Sequence, residues 1–225
     1  ASNEVLVVLD NLEQLLAGVG RLTEILTRAP GAKLLVTSQE RLNLQSEYVF
    51  VTQGLPVPPS DQLHRAHEYD AIRLFTQSAR RAGADVTLTG EELAAAVHVC
   101  RLVDGMPLGI ELAAAWTPLL SCGEIAAEIQ CSLDFLTVSL RDLPERQRSL
   151  RAVFDHSWRL LTPEERDALS RLALFQGGFE RRAAEEVAGA NLATLLALTS
   201  KSLIHRSTSG RFDLHEVVRQ YAYSN

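Results

Sequence analysis

Asp10 closes an apolar run, Val5-Leu6-Val7-Val8-Leu9, and has Asn11 beside it. A carboxylate at the C-terminal end of a buried strand can hold a divalent cation, directly or through water, beside the phosphates of a nucleotide. A second apolar run, Lys33 to Thr37, ends in the polar turn Ser38-Gln39-Glu40-Arg41. Parallel strands would bring Thr37 and Arg41 to the same edge as Asp10. Read locally, the Arg41 guanidinium is a surface salt bridge. His215 stands at the expected start of the last helix, where an imidazole can donate to phosphate oxygens and the helix end adds its own N–H groups. For a lone histidine after a hairpin, a structural role is the bland alternative. Pro107, in Asp104-Gly105-Met106-Pro107-Leu108, read locally is an ordinary proline at the first turn of a helix.

The elements that position these residues follow from periodicity. Val5 to Leu9 lacks alternation, which predicts a strand buried on both faces. Leu12, Leu15, Leu16, Val19, Leu22, Ile25 and Leu26 recur at helical spacing, with Gly18 and Gly20 loosening the middle and Pro30-Gly31 ending the helix. Glu13 lies on this helix. Tyr48-Val49-Phe50-Val51 is expected to be a short strand running into Leu-Pro-Val-Pro-Pro-Ser, an exit from the domain. Strand, helix, strand implies a parallel sheet over residues 1–60.

From about Glu68 the pattern is helical only. Tyr69 to Ala82 places Ile72, Leu74, Phe75 and Ala79 on one side. Thr89 and Glu92 are predicted to form a capping box for a helix burying Leu93, Ala96, Val97, Cys100 and Val103. Pro107 opens a helix with Leu108, Leu112, Ala115 and Leu119 on one face, and Ser121 with Glu124 caps the next. This makes a small helical bundle at 67–136. A charged, polar stretch, 137–149, is read as a linker. Residues 150–225 then give a helix with Val153, Phe154, Trp158 and Leu161 inward, and Thr162-Pro163-Glu164-Glu165 starts a second that Gly177-Gly178 closes. Two short helices follow (Arg181 to Ala188 and Leu192 to Lys201). Hairpin signals flank Ser207 to Gly210, and a final helix begins near His215. Helices followed by a β-wing predict a winged helix.

The net charge of −6 and pI of about 5.6 argue against a general nucleic-acid-binding surface. Cys100, Cys122 and Cys131 lack metal spacing and read as reduced thiols, which with the missing signal peptide points to the cytoplasm. No apolar run is long enough to span a membrane. No Ser or Cys sits in a nucleophile context. The chain opens at Ala1, without an initiator Met and almost inside a strand, so it is expected to be a piece of something longer.

The series LVVLDN, LLVTSQERL, DGMPLGIELAAA and LHEVVRQYA, in this order and at these spacings, resembles the STAND class of P-loop ATPases. More closely, it is similar to the NB-ARC-like core of large bacterial transcriptional regulators of the LuxR and antibiotic-regulatory types. The resemblance covers essentially the whole chain. It implies an α/β part followed by a mostly α part: the C-terminal portion of a P-loop NTPase parallel sheet, then a helical bundle, then a winged helix. Asp10 would be the Walker B acid on the Mg²⁺ shell. Pro107 would pack on the adenine of ATP or ADP. His215, in the place of the family's Met-His-Asp histidine, would reach the β-phosphate of ADP in the closed state. Thr37 and Arg41 would belong to the sensor strand.

The sequence departs from the family in three places. Asn11 stands where a second acid is frequent, and it cannot act as a general base. Gln39 stands where the family's γ-phosphate-sensing arginine is usual; Arg41, two residues on, could substitute with a charge-assisted contact, and a surface salt bridge is the alternative. No G-x-x-x-x-G-K-[ST] occurs, so there is no Walker A loop. In such sheets the phosphate-loop strand lies beside Lys33 to Thr37, and a gap or exposed edge is expected there.

The first expectation is therefore a fragment of an ATP/ADP-controlled switch, closed by ADP and opened by ATP in the intact protein. Taken alone, this chain is expected to bind nucleotide weakly and not turn it over. The intact protein would self-associate through its nucleotide domain. The second is a nucleotide-independent interaction scaffold. The third is a winged-helix DNA-binding module, disfavoured because the expected recognition helix carries one basic residue. No direct DNA contact and no membrane contact are expected.

Overall fold

Val5–Leu9 (β1) and Ala32–Val36 (β2) pair in parallel, with Val5 opposite Ala32 and Leu9 opposite Val36. The structure is a computed structural model that describes residues 4–84, 87–137, 149–207 and 210–225, excluding the side chain of Gln14. The crossover between the strands is a 3-10 helix, Leu12–Gly18, followed by α1, Gly20–Arg28. The break at Gly18 and Val19 is where the sequence loosened the helix. The expectation of a strand buried on both faces does not hold. Leu6 is 62% exposed, and Val5, Val8 and Leu35 are exposed too. The reason is lack of cover: among the described residues the sheet has two strands only, and α1 buries none of its own residues against it. Both outer edges are consequently unpaired there. Tyr48 to Val51 is not a strand either. Tyr48 and Phe50 stand almost fully exposed, and among the described residues the segment pairs with no strand.

The chain then runs along the helices. Leu55 N–H donates to Gly105 O (2.8 Å), and Arg101 donates to Pro58 O and to Ser60 Oγ. A 3-10 stretch, Ser60–Glu68, leads into α2 (Asp70–Arg81), then α3 (Gly90–Leu102), α4 (Pro107–Ala114) and α5 (Cys122–Cys131). α2 packs on α4 and α3 on α5 around Ile72, Phe75, Val97, Ile110, Ile125 and Ile129. Gly109 permits the close approach of α4, since a Cβ there would lie 2.8 Å from Val103 Cβ.

Two local expectations fail here for visible reasons. The Thr89 side chain makes no cap hydrogen bond. Gly90, the first residue of α3, has a left-handed φ of 55°, which spoils the regular first turn a capping box needs, and Glu92 instead accepts the Cys122 N–H (3.2 Å). The apolar face expected through Ala115 and Leu119 is cut short because α4 ends at Ala114, leaving Leu119 on the surface. The Ser121–Glu124 box does form, with Ser121 N–H to Glu124 Oε2 at 2.9 Å.

The linker expected at 137–149 lies, except for its two end residues, outside the described residues. Thr137 and Ser149 bridge antiparallel, and Leu150 N–H donates to Leu136 O (3.1 Å). Beyond them come α6 (Leu150–Arg159), α7 (Pro163–Leu172), α8 (Arg181–Ala188) and α9 (Leu192–Ser200). The hairpin is short: β3 (His205–Arg206) and β4 (Phe212–Asp213), with Phe179 bridging to Phe212 through two 2.8 Å hydrogen bonds. α10 (Glu216–Tyr223) closes the chain against α6 and α7. Leu150, Leu169, Leu172, Phe179, Leu195 and Val217 are buried. At the foot of this group Lys201 Nζ meets Glu165 Oε2 (2.7 Å) and Leu160 O (2.9 Å), and Glu165 also completes the Thr162 capping box. Among the described residues no helix is long and apolar enough to cross a membrane.

Candidate nucleotide site

Asp10 and Thr37 follow directly on the C-terminal ends of β1 and β2. Parallel pairing in register brings them side by side, and the Thr37 hydroxyl donates to Asp10 Oδ1. The same hydroxyl accepts the Asn11 N–H (3.1 Å), and Asn11 Nδ2 donates to Asp10 Oδ2 (3.3 Å). Asn11 takes a left-handed φ of 55°, a conformation asparagine tolerates better than most residues. Two sequence-remote polar residues thus meet at the edge where open α/β sheets bind ligands. Each carboxylate oxygen accepts one hydrogen bond and keeps a further lone pair, and the group is exposed, so a cation could approach it.

The turn after Thr37 is tied in two directions. Gln39 N–H donates to Glu13 Oε2 (3.3 Å), which accounts for the burial of that glutamate. The Gln39 side-chain oxygen accepts from Ser157 Oγ on α6 (3.0 Å). Arg41 is exposed, and among the described residues its guanidinium makes no hydrogen bond or ion pair. The surface salt bridge read as its alternative role is therefore absent there, and Arg41 does not join Asp10 and Thr37.

A second cluster forms between the bundle and the last helices. Asp104 and Gly105 both have positive φ, 51° and 65°, and together turn the chain from α3 into α4. Glycine is required at 105, because a Cβ would sit 2.2 Å from Leu55 O. Pro107 then starts α4 and is exposed. Against this turn lies His215, the N-cap residue of α10, whose Nδ1 is 2.5 Å from Asp104 Oδ2. The His205 ring stacks on the His215 ring, with centroids 4.7 Å apart and planes 20° from parallel.

The structure thus brings Asp10 to Thr37, and His215 to the turn that presents Pro107. Among the described residues no hydrogen bond or ion pair joins the first pair to the second. Sequence reasoning missed Asp104 and His205 as partners of His215, and Ser157 as the partner of Gln39. Asp104 was within the motif already singled out, an ionisable residue before a glycine, but nothing local pointed it at a residue so far along the chain. Among the described residues no group of three or more His, Cys, Asp or Glu is placed to hold a metal ion. Two open grooves, of about 540 and 420 Å³, lie along α2 and α1 and include none of the site residues.

No family model matches the chain. It is 33% identical over 232 aligned positions to "Putative HTH-type transcriptional regulator Rv0890c" of Mycobacterium tuberculosis, covering 98% of this chain and 25% of that protein. It is 34% identical to "Uncharacterized protein Rv0894" of the same organism, covering 97% of this chain and 56% of that one. The chain therefore spans between a quarter and about half the length of these relatives. A solved structure, that of a Signal Transduction ATPase with Numerous Domains protein with a tetratricopeptide repeat sensor from Pyrococcus horikoshii, aligns over 98% of this chain and 28% of its own, with 18% identity and a TM-score of 0.31. The sequence likeness is thus to one stretch within longer proteins, one of which is described as a regulator of transcription.

Proposed function

We propose that this chain is part of an ATP/ADP-controlled switch within a transcriptional or signalling regulator. The observation that carries the reading is the Asp10–Thr37 pair at the carboxyl ends of neighbouring parallel strands. In this reading residues 1–60 belong to the nucleotide domain, 67–136 to an ARC-like bundle, and 150–225 to a winged helix whose wing is the β3–β4 hairpin. Asp10 fits a cation: its carboxylate is exposed, each oxygen keeps a lone pair beyond the one hydrogen bond it accepts, and water and nucleotide phosphate would complete the shell. Thr37 orients that carboxylate. Pro107 offers an exposed ring to the base, and His215 offers an imidazole to the diphosphate. Arg41, with its guanidinium unengaged among the described residues, is available to the terminal phosphate of ATP. The sequence has no phosphate loop of its own, so the phosphates would be gripped by another segment of a longer protein. The relatives named above are long enough to contain one.

The test is calorimetric titration with ADP and Mg²⁺. This chain is expected to bind more weakly than low micromolar and to show no turnover. A longer protein that carries a Gly-Lys-Thr or Gly-Lys-Ser loop upstream is expected to bind tightly, and to lose affinity in Asp10→Asn and in His215→Ala. If that longer protein holds ADP equally well with both substitutions, the assignment of this site is wrong.

One observation favours the scaffold reading instead. Gln39, at the sensor position, spends its side chain on Ser157 and not on a ligand. Equal self-association with and without nucleotide would select the scaffold. A DNA-binding role has less behind it still: Lys201, the one basic residue of the expected recognition helix, is engaged by Glu165 and Leu160.

A further inference from the structure

Asp104 precedes α4 and His215 precedes α10, so their contact joins two elements that share no strand or helix. A carboxylate only accepts hydrogen bonds, so the 2.5 Å contact requires the proton on His215 Nδ1. In the neutral ring this leaves the lone pair on Nε2, and only the imidazolium, held by the same Asp104 contact, carries an Nε2–H that an anion can accept. His205 covers one face of the same ring. The imidazole is thus held at one edge and on one face, with its Nε2 edge free of any hydrogen bond among the described residues. Such an arrangement resembles the carboxylate that orients a working histidine elsewhere in protein chemistry, by fixing which nitrogen carries the proton and which one works.

We infer that Asp104 is the positioning residue of His215. It holds Nδ1–H, and His205 holds the ring plane, so that His215, once Nε2 is also protonated, presents Nε2–H to an anionic ligand. The ligand clause rests on the nucleotide reading above; the tautomer clause does not. The backbone supports the choice of residue. At φ 51°, Asp and Asn are among the few side chains that tolerate position 104 with little strain. The position can therefore carry a carboxylate where most residues would be strained.

The test is ¹⁵N imidazole NMR on this chain at fixed pH. The wild type is expected to show His215 with Nδ1 protonated. Asp104→Gly keeps the left-handed backbone and removes the acceptor, and should lose that signature. Asp104→Asn retains a side-chain acceptor and should restore it. His205→Leu, which removes the stacked ring without touching Asp104, should leave Nδ1–H in place while broadening the ring resonances. An unchanged His215 pattern in a folded Asp104→Gly chain overturns the inference. In a longer protein that binds the nucleotide, added ADP should bring a proton onto His215 Nε2 while Nδ1 keeps its own. A shift at Nδ1 instead, with loss of the Asp104 bond, also overturns it. If neither nitrogen responds to ADP in a longer protein that binds the nucleotide, His215 is not a ligand residue. The nucleotide role of His215 then fails, while the Asp104 comparison still decides the tautomer clause.

Discussion

Replacing Lys201 by methionine removes an ammonium and keeps most of the side chain's length and apolar stem. In the native structure that ammonium sits between Glu165 Oε2 at 2.7 Å and Leu160 O at 2.9 Å, and the two charged side chains are only 15% and 11% exposed. Without it a carboxylate and a carbonyl lose their partner away from water. Breaking a buried pair from one side costs about 3–5 kcal/mol. Glu165 retains the Thr162 N–H at 2.8 Å, which places the loss at the low end, about 3 kcal/mol. For a chain of this size that is roughly 6–12 °C in melting temperature. Trp158 on α6, packed edge-on against Tyr221 at 5.6 Å, is a local reporter, and a Trp116→Phe background leaves it the sole tryptophan. Urea titration followed by its fluorescence gives the energy. Adding Glu165→Gln to Lys201→Met removes the stranded charge and keeps the capping box, so about 2 kcal/mol should return. If the single change costs under about 1 kcal/mol, or the double change recovers nothing, the node is not a buried charge pair and the reasoning fails.

Burial pushes the Cys100 thiol up from 9.0 to about 12. The folded state therefore keeps a proton that the unfolded chain gives up, and this contribution is complete below pH 9 and lost as pH rises through 9 to 12. The slope is about 1.4 kcal/mol per pH unit, so urea midpoints should fall steeply above pH 9 and less steeply in Cys100→Ala. Cys122, shifted the same way by burial and then by Glu92, adds to the effect. Gly105→Ala should destabilise by about 2 kcal/mol or more, through its left-handed φ and the collision with Leu55 O, and a thermal melt reads this directly. Fluorescence anisotropy with duplex DNA at physiological salt should show no binding; a salt-dependent isotherm would restore the DNA-binding reading.

Much of this architecture is legible residue by residue because it is local. Thr162-Pro163-Glu164-Glu165 and Ser121 with Glu124 specify helix starts within four residues, and both form. The strands β1 and β2 follow from unbroken aliphatic runs, and the hairpin from the polar turn between Arg206 and Arg211. Local signals mislead where a neighbour overrides them. Thr89 has every capping residue it needs, yet Gly90 adopts a backbone that denies it the role. Tyr48 to Val51 has strand composition yet pairs with neither open edge of the sheet among the described residues. An aliphatic run reports that a strand suits burial, and it does not report whether anything covers it. At the candidate site the pairing of Asp10 with Thr37 followed from parallel strands alone. Asp104 with His215, and Gln39 with Ser157, could not be read, since each partner is fixed by how separate groups of helices dock and not by spacing.

The Gln39–Ser157 bond has a consequence for the order of assembly. It joins side chains 118 positions apart, with Gln39 exposed and Ser157 half-buried. Closing a free loop of that length costs roughly 4 kcal/mol of chain entropy, whereas one such bond returns about 1 kcal/mol. It can form only once α2 to α5 have already folded and shortened the path between its ends. The sheet's tether to α6 is therefore among the last contacts made as the chain folds and among the first given up when it is strained.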